Sequence, residues 1–583
     1  MTRSAHEKIW RQKNINELYV QELCRKFDIS DLLAKILSSR VDTAEAAESF
    51  LSAKIKHLLP DPFHLMDMNK AVQRTIEAME NNNQICIFAD YDVDGATSSA
   101  LLKKLFRELG HVAEIYVPDR IIEGYGPTRI AMQKIKDAGT TLVITVDCGV
   151  MAHDALEYAK DIGLEVIVID HHISTCSLPE AIAVVNPNRM DEISPYKNLA
   201  AVGVSFLFAC ALVSTLKKQN YFVSNPPPNL LQYLDLVALG TVCDVMPITS
   251  LNRAFVTQGL KIMLQRQNIG VKALCDKAGL NEKLSCYHLG FSLGPRINAG
   301  GRVGKSSLGA TLLSSLLEAE ATFLAEELDK YNNERKVIEL LILEEAIEIA
   351  EAQRNESFLF VAREGWHPGV IGIIASRLKE KYNKPVAVIA IDGEIAKASC
   401  RSIKNIDFGR KIGAAQSQGL VIVGGGHAMA AGFTAKKDKL PELQKFLGAL
   451  FESDLQKLGS NHEEEYDLEL TTSSINQEFM NELEKLEPYG NGNPEPLFKF
   501  SNLFVLKADA IKSKHIQCLL APCKESYGSK PIAAIAFNAI SSPLEKILLN
   551  PKPITISVIG TLKSNNWQNK QRIQLQIKDL IVY

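Results

Sequence analysis

No C-x-x-C pair occurs among the eleven cysteines. They are scattered and form no even framework, which excludes a disulfide scaffold and reads as reduced cytosolic thiols. No uninterrupted apolar run has membrane-spanning length; the longest candidate, Leu340 to Ala350, is broken by Glu344, Glu345 and Glu348. The opening MTRSAHEKIW carries no apolar stretch of a signal peptide. A cytoplasmic protein without a membrane partner is therefore expected. Excess basic charge is missing too: the formal net charge is −3. A nucleic-acid binder with that balance must gather its basic groups locally. Finally, Gly and Pro are absent from Ala310 to Glu364. The Glu-, Ala-, Leu- and Ile-rich part from Leu316 to Gln353 predicts one long helix, or two with a break near Tyr331–Asn333. At about 1.5 Å per residue it spans roughly 50 Å, enough for a strut between domains.

What is present is material for several cores. The chain has 583 residues, 46% hydrophobic and 23% charged, which is roughly three to four domains of ordinary folded protein. Residues 1–80 read as helical, with Ile36, Leu37, Ala46, Phe50 and Leu51 at helical spacing. From about residue 84 the pattern changes to short apolar runs alternating with helical stretches. ICIFAD (85–90), TLVITVD (141–147) and EVIVID (165–170) are such runs. Continuous apolar runs of this length predict buried parallel strands in a doubly wound α/β sheet over 81–310. The strut follows at 311–354. A second α/β pattern occupies 355–460 (FLFVA, PVAVIAI, GLVIVGGG), and a small β-barrel or sandwich is expected over 461–583.

Each of the three strands ends on an aspartate: Asp90, Asp147 and Asp170. The first continues as DYDVDG, adding Asp92 and Asp94, and the third as DHH, adding His171 and His172. Ligands of open parallel sheets bind beyond the carboxyl ends of the strands. Any one such aspartate could merely cap the next helix. All of them on one rim would repel and resist desolvation, so the set implies bound cations. Oxygen ligands with one or two imidazoles suit Mn²⁺ or Mg²⁺ better than zinc. An alternating D-x-D-x-D can divide its carboxylates between two ions, the arrangement that stabilises attacking and leaving oxygens in phosphoester displacement. Asp244, closing the apolar run LDLVALGTVCD, is grouped with the strand-end acids. The glycine-punctuated GPRINAGGR is read as a loop whose Arg296, Asn298 and Arg302 suit phosphate oxygens. Ser399, Arg401 and Ser402, with Gly425, Gly426 and His427, suggest a terminal-phosphate pocket. Lys507, Lys512, Lys514, His515, Lys563, Trp567, Lys570 and Arg572 suggest a single-strand-binding surface on the C-terminal barrel.

DYDVDG (90–95), VITVDCGV (143–150), VIDHH (168–172), VVNPNR (184–189), LVALGTVCDVMP (236–247) and GPRINAGGR (294–302) resemble the DHH phosphoesterase superfamily. Within it they are similar to its branch of single-stranded-DNA-specific 5′→3′ exonucleases. GWHPGVIGIIASRL (365–378), ASCRSI (398–403) and GGGHAMAAGF (424–433) resemble the DHH-associated domain. LDKYNNER (328–335) resembles the family's connecting helix, and LEPYGNGNPEPLF (486–498) the entry to its OB-fold. The resemblance implies two Mn²⁺ or Mg²⁺ ions. One is held by Asp90, Asp92 and Asp147, the other by Asp94, Asp147, His171 and Asp244. His172 faces the scissile phosphate as charge stabiliser or acid. The 5′ phosphate is held around Ser399, Arg401, Ser402, Gly426 and His427, with Arg120. Single-stranded DNA would be degraded to nucleoside 5′-monophosphates in DNA repair and recombination, with single-strand-binding protein and a repair helicase as partners. Two other readings are a small-nucleotide phosphodiesterase, acting on oligoribonucleotides or cyclic dinucleotides, and a non-catalytic replication scaffold. Against the first stands Phe88, where those relatives carry a ligand histidine; against the second stand the complete ligands. The chain departs from the family at Gly300, usually alanine, and Cys400, usually glycine. The latter bears on how closely backbone approaches a phosphate.

Overall fold

The computed structural model describes residues 3–583 apart from 120–122, 125, 224, 459–462, 523–529, 551–553 and 568–569. Arg120 thus lies outside the described residues, as do the side chains of Trp567 and Lys570.

The chain opens on a short strand, β1 (Ile9–Gln12), followed by helices Glu17–Phe27, Asp31–Ser38 and Ala44–Leu51, each begun by an Asn, Ser or Thr side chain accepting backbone N–H bonds. A five-stranded parallel sheet follows. It comprises β2 (Ile85–Ala89), β3 (Ala113–Tyr116), β4 (Leu142–Val146), β5 (Glu165–Ile169) and β6 (Ala183–Val185), all parallel in the order β3-β2-β4-β5-β6. Every residue of β2 and β4 is buried. Ile85, Ile87 and Ala89 face one core with the helices Met68–Glu80, Val93–Glu108 and Ala201–Lys218. Cys86 and Phe88 face a second core with Arg129–Asp137 and His153–Asp161. Period-two alternation between two apolar layers is why the strands read as unbroken hydrophobic runs. The longest apolar stretch is not Leu340–Ala350 but the helix Ala201–Lys218, which passes a length-and-hydropathy test for a membrane span. Thirteen of its residues are buried, so its apolar circumference is explained by this core.

A single helix of 35 residues, Glu318–Ala352, runs through Tyr331–Asn333 without a break. Ala321, Leu324, Ala325 and Leu328 in its first half belong to the catalytic core. Ile342, Ala346 and Ala350 in its second half belong to the core of the next domain. That domain contains β7 (Leu359–Glu364), β8 (Val386–Asp392), β9 (Ile395–Arg401), β10 (Val423–Gly426) and β11 (Ala430–Lys436) in the order β10-β11-β9-β8-β7, with only β7 and β8 parallel. Next come β12 (Glu463–Tyr466), which pairs in parallel with β1, and β13 (Leu468–Glu469). With β14 (Phe498–Ile511), β15 (His515–Pro522), β16 (Ile532–Ala536), β17 (Ile556–Trp567) and β18 (Lys570–Val582) the last sheet runs β13-β14-β15-β16-β18-β17. β17 pairs back onto β14, closing a barrel.

The first 51 residues build no core of their own. Val20, Leu23, Leu33, Ile36, Leu37, Ala47 and Phe50 pack with Phe498, Leu520, Val558 and Leu575 of the barrel. Arg253, from the helix Ser250–Leu264, ties this unit to the catalytic domain. It donates to the carbonyls of Phe50 (2.8 Å) and Glu487 (2.7 Å) and lies 3.8 Å from the Phe50 ring centroid.

Candidate metal centre and phosphate pocket

Because β2, β4 and β5 are neighbours, Asp90, Asp147 and Asp170, each one residue past its strand, stand side by side on the carboxyl rim. Asp92 caps the helix Val93–Glu108, accepting the amides of Asp94 (2.9 Å) and Gly95 (3.2 Å). A Cβ on Gly95 would lie 2.3 Å from the Asp90 carbonyl oxygen, so the turn DYDVDG closes only around glycine. Asp94 faces inward and accepts the amides of Ala201 (2.6 Å) and Val202 (2.9 Å). Those amides open the apolar helix, whose dipole favours an anion there. Asp147 has φ +61, a strained conformation for a non-glycine residue.

Asp244 lies beside these acids but ends no strand: it caps the C-terminus of the helix Leu234–Cys243. A Cβ on Gly240 would meet Thr97 Oγ1 at 2.4 Å and Asp94 Oδ1 at 3.0 Å, so this helix crosses directly over the acidic turn. His171 Nε2 lies 3.3 Å from Asp147 Oδ1, 3.5 Å from Asp244 Oδ2 and 3.8 Å from Asp94 Oδ2. Three sets of potential ligand atoms overlap: Asp90, Asp92 and Asp147; Asp94, His171 and Asp244; and Asp147, His171 and His172.

The electrostatics demand positive charge. Burial, reinforced by Asp92, Asp94, Asp90 and Asp244, holds the Asp147 carboxyl well above its ordinary range. Burial and Asp92 push Asp94 up to about 7, and burial and Asp94 push Asp244 up to about 9. Burial and neighbouring His172 lower His171 to about 4, keeping it neutral and able to ligate. His171 Nε2 and Asp244 Oδ2 are buried and have no hydrogen-bond partner among the described residues. In such a pocket unsatisfied atoms of this kind are the signature of an ion-binding set. The oxygen-rich donors with one imidazole fit Mn²⁺ or Mg²⁺.

Asp170 does something the sequence did not reveal. Its Oδ2 accepts the Val150 amide (3.0 Å); its Oδ1 accepts the amides of His171 (2.7 Å) and His172 (3.1 Å) and lies 2.8 Å from His172 Nδ1. Burial would raise Asp170, but the His172 bond outweighs it and the carboxyl falls to about 2. Burial would likewise lower His172, and the same bond instead carries it to about 9. Asn186 and Asn188, in VVNPNR, donate to the carbonyls of His172 (2.8 Å) and His171 (2.6 Å) and fix both histidines from behind. Phe88 is fully buried and stacked on Tyr116.

GPRINAGGR is a helix, Gly294–Val303, rather than a loop. Arg296 is engaged internally, with Nε 2.9 Å from Asp329 and Nη1 donating to Ser292 O (2.7 Å). The Asn298 side-chain oxygen is buried without a partner. Gly300 suits a close approach, since a Cβ would lie 2.8 Å from Lys305 O. Gly301 packs on Tyr91 beside the acidic rim, and Arg302 donates to Gly369 O (2.9 Å) across the domain boundary. Gly369 leads into the helix Ile371–Tyr382, whose Gly372 and Ser376 meet the second pocket. Arg401 Nε donates to Ser376 Oγ (3.2 Å), and its Nη1 to Ser399 Oγ (3.3 Å) and Cys400 O (2.8 Å). Burial lowers its pKa, and among the described residues no carboxylate opposes the loss. Registers Arg401↔Ala430 and Gly426↔Ala431 bring the GGGH turn beside it; the His427 imidazole is exposed. Ser402 does not line the pocket, because it is buried and donates to Ile406 O (2.7 Å). Cys400 points into the apolar core, opposite to Ser399 and Arg401, so the departure from glycine leaves the pocket open. On the barrel, Lys507 pairs with Asp509 and Lys563 with Glu495, which weakens the basic surface expected there.

A doubly wound sheet with a D-x-D-x-D turn, a DHH turn and an added helical aspartate on one rim defines a metal-dependent phosphoesterase of the DHH class. Residues 84–241 match the DHH family N-terminal domain, 355–453 the DHHA1 domain and 466–579 the RecJ OB domain. The chain is 34% identical over 582 residues to the single-stranded-DNA-specific exonuclease RecJ of Bacillus subtilis, covering 98% of this chain and 71% of that one. To the Escherichia coli RecJ it is 35% identical over 525 residues, 88% of this chain and 89% of that one. The fold superposes on the crystal structure of Thermus thermophilus RecJ in complex with Mn²⁺ with a TM-score of 0.81 at 27% identity, over 98% of this chain and 79% of that one. The chain belongs to the RecJ family.

Proposed function

We propose that the chain is a metal-dependent exonuclease that degrades single-stranded DNA from its 5′ end to nucleoside 5′-monophosphates, in DNA repair and recombination. The observation that carries this reading is the connection of a carboxylate rim in need of cations, through Arg302 and Gly369, to a half-buried guanidinium, Arg401, that has no carboxylate partner among the described residues. The RecJ relatives are named single-stranded-DNA-specific exonucleases, which supports the same substrate.

In this reading Asp90, Asp92 and Asp147 would hold one ion, and Asp94, Asp147, His171 and Asp244 the other. Divalent cations so held supply an activated water and polarise the phosphate. The helix amides of Ala201 and Val202 keep Asp94 in place. Asp170 anchors His172 through Nδ1 and maintains its positive charge, leaving Nε2 to deliver a proton to the leaving oxygen. Arg401, Ser399, Gly426 and His427, with Arg120, take the terminal phosphate and set polarity; Asn298 and Arg302 guide the strand between the two sites. Single-strand-binding protein and a repair helicase are the partners this role calls for, and the cytoplasm its location. The unit division is 81–310 for catalysis, 311–354 for the strut, 355–460 for the phosphate pocket and 461–583 for strand gripping, the last completed by the N-terminal helices. Digestion of 5′- and 3′-labelled single strands, duplexes and dinucleotides tests the reading. Loss of mononucleotides from the 5′ end of single strands alone is expected, and digestion from the 3′ end refutes it.

A further inference from the structure

The segment that leads into the helix Gly294–Val303 exposes two large aromatic rings. Tyr287 and Phe291 are 65% and 72% exposed. They stack on one another, with centroids 5.0 Å apart and planes inclined by 24°. Tyr287 lies in the single turn Cys286–His288, and Phe291 in the π-helical turn Leu289–Leu293 that follows it and runs directly into the helix Gly294–Val303. Such turns are uncommon and frequently sit at functional sites. The other side of the turn is anchored: Leu289 and Leu293 are fully buried. Gly290 faces Val242, a Cβ on Gly294 would lie 2.6 Å from Cys243 Sγ, and the Cys243 thiol donates to Leu289 O at 3.4 Å. Val242 and Cys243 immediately precede Asp244. The turn that carries Phe291 is therefore packed on the end of the helix that Asp244 caps.

We infer that Tyr287 and Phe291 form a stacking platform for an unpaired base of the substrate strand, next to the nucleotides held at the metal centre. This rests on the single-strand reading above and names a contact it does not include. A flat pair of pre-stacked rings presents a π-face that any base can cover, and it costs little ordering because the rings already hold each other. A paired base has its faces covered by its neighbours, so the platform selects for single strands by chemistry rather than by width alone.

The test compares the full chain with Tyr287→Leu and Phe291→Leu, which keep apolar bulk but lose the ring face, and with Phe291→Tyr, which keeps it. KM on long single strands should rise roughly 5- to 100-fold in the leucine variants, the range of one lost base stack. kcat should stay near its original value, and Phe291→Tyr should behave like the unaltered chain. Strands carrying one abasic site, moved nucleotide by nucleotide, should abolish the difference between variant and unaltered chain at one position only. Leucine variants with unchanged KM, or a defect that persists on strands abasic throughout, overturn the inference while leaving the exonuclease reading intact. Weakened self-association in sedimentation, with KM unmoved, would assign the pair to a second copy and also overturn it. If the unaltered chain does not digest single strands at all, both readings fall.

Discussion

Removing divalent cations should destabilise the catalytic domain, and more so as pH rises. The cause is the acidic rim. Asp94 is carried from an ordinary 3.8 to about 7 by burial and Asp92. At about 1.36 kcal/mol for each pH unit between the two values, ionising it costs the metal-free fold roughly 4 kcal/mol above neutral pH. The folded value lies above the unfolded one. The penalty is therefore absent below about pH 4, grows between pH 4 and 7, and stays constant above. Asp244 and Asp147 shift in the same direction, but they share one field with Asp94 and their costs do not add. A cation at about 100 times its Kd returns about 2.7 kcal/mol, which for a domain of this size is a rise in Tm of about 5–10 °C. Calorimetry in chelator and in Mn²⁺, at about pH 8 and about pH 5.5, reads the effect directly. The chelated protein should melt higher at the lower pH, and Mn²⁺ should raise the catalytic-domain transition mainly at the higher one. Asp147→Asn should melt higher than the unaltered chain in chelator, lose the Mn²⁺ response and have no measurable turnover. An Mn²⁺ response absent at both pH values, or larger at the lower, would refute the argument.

Asp170→Asn should lower kcat about 10²- to 10⁴-fold in single-turnover experiments, with Mn²⁺ affinity nearly unchanged, because the amide cannot accept all of the bonds to Val150, His171 and His172. Arg401→Ala should raise KM about 10- to 100-fold for 5′-phosphorylated strands, the worth of one charged hydrogen-bond set, and leave 5′-hydroxyl strands almost unaffected. Deleting residues 467–583 alone should give an aggregating protein by size-exclusion chromatography, since it strips the cover from Val20, Leu33, Ile36 and Leu37. Deleting residues 1–52 as well should restore a monodisperse fragment that hydrolyses short oligonucleotides but has a raised KM on long strands.

Much of this molecule is legible along the chain because its catalytic domain is built from local signals. ICIFAD, TLVITVD and EVIVID each name a buried strand and the acid at its end, since a central parallel strand is apolar on both faces and its rim is where polar groups return. The Gly- and Pro-free stretch gives the connecting helix, because only those two residues would have interrupted it. DYDVDG and DHH likewise name most of the side chains that the fold gathers into groups able to hold an ion.

What the tertiary structure alone decided is who partners whom. Asp244 reads as a strand end because a fully buried helix and a buried strand share one hydrophobic pattern, and only the packing of Gly240 on Thr97 distinguishes them. Asp170 looks like one more candidate ligand at a strand end, yet its oxygens are engaged by the Val150 amide and by the amides and imidazole of the DHH turn. Arg296 and Ser402 carry the right chemistry for phosphate but are already satisfied by Asp329 and Ile406. The N-terminal helices belong to a barrel more than 400 residues away in sequence, as the shared core of Val20 and Leu33 with Phe498 and Leu520 shows. A contact of that separation leaves no periodicity in either segment: each helix records only that one face must be covered, and the chain's return path determines by what.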